Sequence, residues 1–335
     1  VVVMMSKPQL IDYIIISTED LIRCKLINLK IMNKHNDVKK NGWAKKLTIL
    51  FLSVFCIQLV SFAKDKPNSK FGGVQIGTIT YSYRSMPDQS LPAILEYIVQ
   101  SGINSVELMG EPVEEYAGIP KSKDREALKK WRSSVSLDKF KEIRKMFDEK
   151  GVEIHILKLG DHRWSDAEID YAFEVANVLG AKGISMEISE EAAQRMEPFA
   201  EKHQMYVIFH NHFQPAEPTF SFDKILAYGP MIMLNFDAGH YYGVTGLNPC
   251  DLIQRLHERI FSIHIKDKTG PKAIEPNKNM EFGKGETPVK EILQLIKKNK
   301  WPIYCDIELE YDIPQGSDAV KEVIKCVDYC KKALQ

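Results

Sequence analysis

From residue 71 onward the chain alternates between two hydrophobic periods. Eight short runs rich in β-branched and aromatic residues, at 74–81, 105–109, 152–159, 183–188, 206–210, 231–237, 261–266 and 303–308, read as strands. Between them, 91–101, 137–150, 166–179, 190–203, 222–228, 251–259, 289–298 and 318–334 carry apolar residues every three or four positions and read as helices. Ser165, Ser189 and Ser221 stand where helix N-caps belong, and Gly102, Gly151 and Gly180 follow predicted helix ends. Eight strand–helix units in succession imply the α/β class and a single closed (β/α)8 TIM barrel, with parallel strands inside and helices outside. An open doubly wound sheet fits less well, because no GxGxxG loop follows the first strand. The one long interruption, 111–136, is charged and carries Pro112, Gly118 and Pro120, which predicts a loop with a short helix over one end of the barrel.

Alternation within the later strands says what the barrel interior contains. Val207 and Phe209, Leu234 and Phe236, Phe261, Ile263 and Ile265, and Cys305, Ile307 and Leu309 would face the helices. The opposite parity then points His210 and His212, Asn235 and Asp237, Ser262, His264 and Lys266, and Tyr304, Asp306, Glu308 and Glu310 inward. His210 to Asp237 and Asp237 to His264 are both 27 residues, about one strand–helix–loop unit, so the polar strand ends stack side by side. Ionisable groups inside a barrel are costly unless paired or metal-bound. A single face that gathers imidazoles and carboxylates is therefore the candidate site.

Composition narrows the setting. Lys plus Arg and Asp plus Glu both number 45, so no net field recruits nucleic acid or an anionic membrane, and a small-molecule substrate is expected. Lys39, Lys40, Lys45 and Lys46 precede the apolar stretch 47–62 and the small-residue site Ser61-Phe62-Ala63, the layout of a secretory signal at 32–63. The apolar stretch is short for a membrane span and contains Gln58. We therefore expect cleavage, export to the periplasm and no stable membrane insertion afterwards. Residues 1–31 are expected to be an unstructured extension upstream of a start at Met32, and 71–335 to be the barrel. Cys250, Cys305, Cys326 and Cys330 form no CxxC pair and indicate no disulfide framework.

Asp237-Ala238-Gly239-His240, His264-Ile265-Lys266-Asp267, Phe282-Gly283-Lys284-Gly285-Glu286 and Ile307-Glu308, in this order and at these strand ends, resemble the xylose-isomerase-like (β/α)8 barrels. Within that superfamily the chain looks like the sugar phosphate isomerases/epimerases, a group that includes inosose dehydratases and ketose 3-epimerases, over essentially all of 71–335. The resemblance implies one divalent ion held at the ends of the fifth to eighth strands, by positions that map here to His210, Asp237, His264 and Glu308. His212 shares the parity of His210, and Glu310 that of Glu308. The fifth-strand ligand is usually Glu in the epimerases, where it also serves as one of two acid/base carboxylates. His210 keeps the ligand role and turns the expected preference toward Mn, Zn or Co over Mg.

The chemistry implied is proton abstraction next to a sugar carbonyl, with Glu308 as base and Glu187, Lys158 and His240 as further acid/base groups. Tyr81, Trp164, His212, Lys266 and Glu310 are candidate substrate contacts. Reprotonation gives an isomerase or epimerase. Expulsion of a β-substituent gives a lyase acting on 3-keto glycosides or dehydrating a keto-cyclitol. A sugar-binding barrel without catalysis is the third reading, and a homo-oligomer is compatible with each. Pairing of Lys158 with Glu187, and structural roles for His155, His203 and Glu107, are the plainer assignments of those residues. Amino-terminal sequencing of the exported chain is expected to begin at Lys64; a mature chain that keeps 47–62 would contradict cleavage.

Overall fold

The computed structural model describes residues 66–335, so the expected signal and the extension before it lie outside the described residues. Eight parallel strands follow in chain order: β1 Val74–Ile79, β2 Ser105–Met109, β3 Glu153–Lys158, β4 Gly183–Glu187, β5 Tyr206–His210, β6 Ile232–Asp237, β7 Ile260–Ile265 and β8 Tyr304–Ile307. Each pairs with the next, and β8 pairs both with β7 and with β1, Asp306 standing opposite His264 and Gly77. The sheet is closed. Lys70–Phe71 adds a short antiparallel ribbon to the start of β1. No helix among the described residues is long and apolar enough to cross a membrane.

The helical periodicity translates directly into the outer layer. Asp166–Leu179 and Glu190–His203 match their predicted bounds, the first closed by a reciprocal capping box between Ser165 and Glu168, the second by Ser189 accepting the Ala192 N–H at 3.0 Å. The apolar core lies between these helices and the outward strand residues. Val207, Phe209, Leu234, Phe236, Ile263, Cys305 and Ile307 are all fully buried there. Each large apolar side chain so buried contributes about 1.5–3 kcal/mol.

Three local departures have identifiable causes. The first strand stops at Ile79, since Thr80–Tyr83 turns into a 3-10 helix. The interruption at 111–136 holds two helices, Gly110–Ala117 and Arg125–Arg132, not one. Arg132 fastens them by a bidentate pair to Glu114 at 2.8 and 3.0 Å while stacking over Trp164 at 3.9 Å. Phe261, expected to face the helices, stacks instead on Tyr304 at 5.4 Å and lies parallel to His155 at 6.4 Å, among the inward groups. The β6–β7 register skips Phe261, with Leu234 opposite Ile260 and Asn235 opposite Ser262, and such a bulge re-aims the side chain. The β2–β3 ladder skips His155 in the same way.

Gly183 sits where β4 and β5 approach closely: a Cβ there would lie 2.2 Å from the Tyr206 carbonyl oxygen. Gly183→Ala is expected to cost about 1–3 kcal/mol through forced strand separation, read as a loss of several degrees in thermal unfolding by circular dichroism; an unchanged midpoint would show that the sheet yields without strain.

Candidate metal centre

Four side chains from four adjacent strand ends meet at the carboxyl-terminal mouth of the barrel. One donor atom each from His210, Asp237, His264 and Glu308 lies within 4.8 Å of all the others, and all four residues are buried. Local structure fixes each one. Asp237 ends β6 and is the N-cap of the helix Ala238–Thr245: its Oδ1 accepts the His240 N–H at 2.6 Å, which leaves Oδ2 aimed into the cluster. This helix carries no apolar stripe in its sequence, since its residues are mostly small or aromatic. Asn211 glues the end of β5 to β6, its Oδ1 accepting the Asp237 N–H at 3.0 Å and its Nδ2 donating to the Asp237 carbonyl at 3.2 Å.

His264 has a carboxylate on each ring nitrogen: Glu308 Oε2 is 2.8 Å from Nδ1 and Glu107 Oε2 is 2.6 Å from Nε2. Burial pushes its pKa down, but Glu308 and Glu107 outweigh it and hold the ring well above its ordinary value. Burial also opposes ionisation of Glu107, yet the charge of His264 brings that carboxyl down to about 2. Glu107 is fixed in turn by donation from Asn235 Nδ2 at 2.7 Å and from the Ser185 hydroxyl, and Asn235 accepts from Ser262 at 2.8 Å. Deeper in the barrel His155 bridges Ser105 and Asp306, each at 2.9 Å, in agreement with a structural role.

Lys266 is the cationic counterweight. Its ammonium lies 2.9 Å from Asp237 Oδ2, 2.6 Å from Glu308 Oε2 and 2.7 Å from Glu310 Oε2. Burial would discharge it, but these carboxylates keep it protonated and raise its pKa. Lys266 and His264 likewise overcome burial at Glu308 and hold that carboxyl well below its usual range. Gly239 makes room for the lysine stem, since a Cβ there would meet Lys266 Cγ at 2.2 Å. His240 lies 3.6 Å from Glu310 and 3.9 Å from Asp237; burial and then the repulsion of Lys266 push its pKa to about 2, so it is neutral.

At the rim, Glu187 ends β4 half-exposed, with Lys158 Nζ at 2.9 Å and His212 Nδ1 at 3.2 Å. The His212 ring packs edge-on against His210 at 4.6 Å. The paired reading of Lys158 and Glu187 thus describes their contact, at the edge of the same cluster. One expected substrate contact stands apart. Trp164 is stacked under Arg132 and lines a separate cavity of about 590 Å3 with Arg125, Lys129 and Arg163, a cavity that contains none of the four clustered residues. Tyr81 is exposed and covered on one face by Arg84 at 4.5 Å. Asp267 accepts the Gly283, Gly285 and Thr287 N–H groups at 2.8, 3.0 and 3.1 Å, so it and the Gly283-Lys284-Gly285 turn form a loop anchor.

Metal fit follows from the donor set. Asp237 Oδ2, whose present partner is the Lys266 ammonium at 2.9 Å, lies 3.9 Å from His210 Nε2 and 4.0 Å from His264 Nδ1, and His210 Nδ1 is buried without a hydrogen-bond partner. Burial, with the charges of His264 and Lys158 adding to it, drives the His210 pKa well down and keeps its ring neutral, as a ligand must be. Two imidazoles and two carboxylates suit a borderline divalent ion. Glu107 on His264 Nε2 has the geometry of an outer carboxylate that orients a ligating imidazole. Its inward parity was legible in Val106-Glu107-Leu108, but nothing in the sequence tied it to His264.

Residues 95–330 match the sequence profile of the xylose isomerase-like TIM barrels. Among solved structures, the chain is similar to a sugar phosphate isomerase/epimerase from Parabacteroides distasonis, at 17% identity over 77% of this chain and 93% of that one, with a TM-score of 0.53. It is similar to the probable 3-DHS dehydratase AsbF of Bacillus anthracis at 17% identity, over 76% and 98% of the two chains, TM-score 0.55. It is also similar to the IOLI protein with a bound zinc atom at 13% identity, over 78% and 98%, TM-score 0.57. No curated protein sequence matches the chain.

Glu107→Gln is expected to keep the barrel folded and to weaken binding of Mn or Zn by about 10–100-fold, measured by competition with a chromophoric chelator; affinity equal to wild type would show that Glu107 does not orient His264.

Proposed function

The chain belongs to the xylose isomerase-like TIM-barrel family, and from that premise we propose that it is a divalent-metal-dependent carbohydrate isomerase or epimerase that removes a proton next to a carbonyl. The carrying observation is the placement of two carboxylates across the mouth. Glu187 ends β4 and Glu308 follows β8, strands half a circuit apart in the closed sheet, so a sugar seated between them has a carboxylate on either side. His210, Asp237, His264 and Glu308 would hold the ion, and the two imidazoles favour Mn, Zn or Co over Mg. When bound, such an ion supplies Lewis acidity toward the substrate carbonyl.

The protein's own groups divide the remaining work. Glu308 is ionised and fixed, as a base must be before it accepts the α-proton. Lys266 keeps Asp237, Glu308 and Glu310 in place by a three-way ion pair and limits their mutual repulsion. Glu187, hydrogen-bonded by Lys158, exchanges a proton on the far side. Neutral His240 and the Glu310 carboxyl group present an acceptor pair for sugar hydroxyls. In this reading the barrel acts outside the cytoplasm on free or glycosylated sugars, as the expected leader suggests.

A specific observation favours a second reading. His210 stands where the epimerases that the chain resembles have a carboxylate, which leaves Glu308 and Asp237 as the acids of the buried cluster. Abstraction by one buried base, with Lys158 at the rim as proton donor to a departing β-substituent, is elimination. The probable dehydratase among the similar structures is compatible with that outcome.

Metal-loaded wild type in deuterated water is expected to exchange the α-proton of a responsive sugar or keto-sugar. Glu308→Gln is expected to lose that exchange by about 10²–10⁴-fold while retaining metal through its amide oxygen. Glu187→Gln should exchange but form less isomerised product. Release of a β-substituent identifies the lyase; exchange by Glu308→Gln at the wild-type rate removes Glu308 as base, and no exchange by wild type with any sugar removes the catalytic reading.

A further inference from the structure

Phe213 is an exposed aromatic ring held against the site. It is 58% exposed, yet its ring lies 5.6 Å from that of His240 and 6.3 Å from that of His212. One imidazole therefore separates it from Asp237. The backbone on both sides is pinned: Asn211 is bonded to Asp237, the His212 N–H donates to Gln214 Oε1 at 2.6 Å, and the turn Gln214–Ala216 packs on the helix Ala238–Thr245. Exposure of this ring is built into the fold.

The connections that follow β6 and β7 carry further exposed apolar residues. Leu247, just past the helix Ala238–Thr245 that follows β6, is 58% exposed, and Ile274, in the loop after β7, is wholly exposed. The two loops meet where Gly246 abuts Pro271, at 3.1 Å from the position of a Cβ. Single exposed apolar residues need no explanation. Here three come from the consecutive connections that follow β5, β6 and β7, the strands that carry His210, Asp237 and His264.

We propose that Phe213 forms a subsite for an apolar or aromatic group attached to the sugar, so that the ligand is a glycoside with an apolar aglycone. This rests on the reading of the mouth as a carbohydrate site. The sugar lies over the four clustered residues and its substituent passes His240 to reach Phe213. The occupant is a small molecule because the apolar surface is continuous, through His240, with the polar cluster. A second copy of the chain seated there would cover the opening. Phe213 takes no part in proton transfer; it sets which ligand is held.

The test compares methyl and 4-nitrophenyl glycosides of the same set of sugars, titrated into Mn-loaded wild type, Phe213→Ala and Phe213→Tyr by calorimetry. A ring stacked on Phe213 should strengthen binding of the nitrophenyl compound about two- to tenfold over the methyl one. Phe213→Ala should abolish that preference while leaving methyl glycoside affinity unchanged, and Phe213→Tyr should restore it. Equal binding of the two series by wild type, a preference that survives Phe213→Ala, or no binding of either series overturns the subsite. So does a wild-type dimer in sedimentation that Phe213→Ala converts to monomer. Proton exchange followed in the same samples separates the two proposals: aglycone-dependent binding without exchange would remove the isomerase reading and keep the subsite.

Discussion

The imidazole of His264, gripped by Glu107 on one nitrogen and Glu308 on the other, links the two halves of the barrel interior. Above it lies the cluster at the mouth, with Lys266 among three carboxylates; below it a hydrogen-bonded column descends through Asn235 and Ser262, with His155 and Asp306 beside it. Charges removed from water are tolerated only when their partners are nearly complete. Among the described residues the interior meets this condition except at a few atoms, His210 Nδ1 among them, and Asp237 Oδ2, with the Lys266 ammonium at 2.9 Å, has His210 Nε2 and His264 Nδ1 within 4.0 Å. A barrel normally fills its interior with layered apolar side chains. Here the outer apolar core has to supply most of the stabilisation while the inside is given over to positioning charge.

Electrostatic pairing also divides the residues by their protonation at neutral pH. With no ion bound, His264 and Lys266 are cationic, Glu308 and Glu107 are anionic, and His210 and His240 are neutral; His264 gives up its Nδ1 proton when it ligates a metal. Neighbouring groups of one type are thus pushed in opposite directions by surroundings a few ångströms apart, the pattern seen where acid/base roles are separated. For His264 the sign is consistent with its two partners: both carboxylates favour the charged ring, and the ring in turn favours both charged carboxylates.

Much of this was legible because a barrel converts sequence period into position. Alternation in β5 to β8 assigned His210, Asp237, His264, Lys266 and Glu308 to the interior, and the 27-residue spacing brought the strand ends together. What escaped depended on contacts that no period encodes. Glu107 comes from β2, more than a hundred residues before His264, and its role follows from the lateral pairing of side chains across the barrel. Phe261 broke the alternation because a bulge in the β6–β7 ladder shifts the register, which a strict two-residue period cannot anticipate. The chemistry of Trp164 suits a sugar platform, but the helix Arg125–Arg132 and the Arg132 clamp hold it in a cavity that none of the four clustered residues lines. Phe213 lies past the end of β5 in irregular backbone, where parity says nothing of direction.

Anomalous diffraction from crystals of the protein soaked in Mn or Zn, recorded on both sides of the absorption edge, decides whether the four buried donors form one metal site. A single strong peak is expected within about 2.0–2.3 Å of donor atoms from His210, Asp237, His264 and Glu308, with Glu107 still on His264 Nε2. No peak among these residues, with the Lys266 ammonium remaining bonded to Asp237 and Glu308, would contradict it.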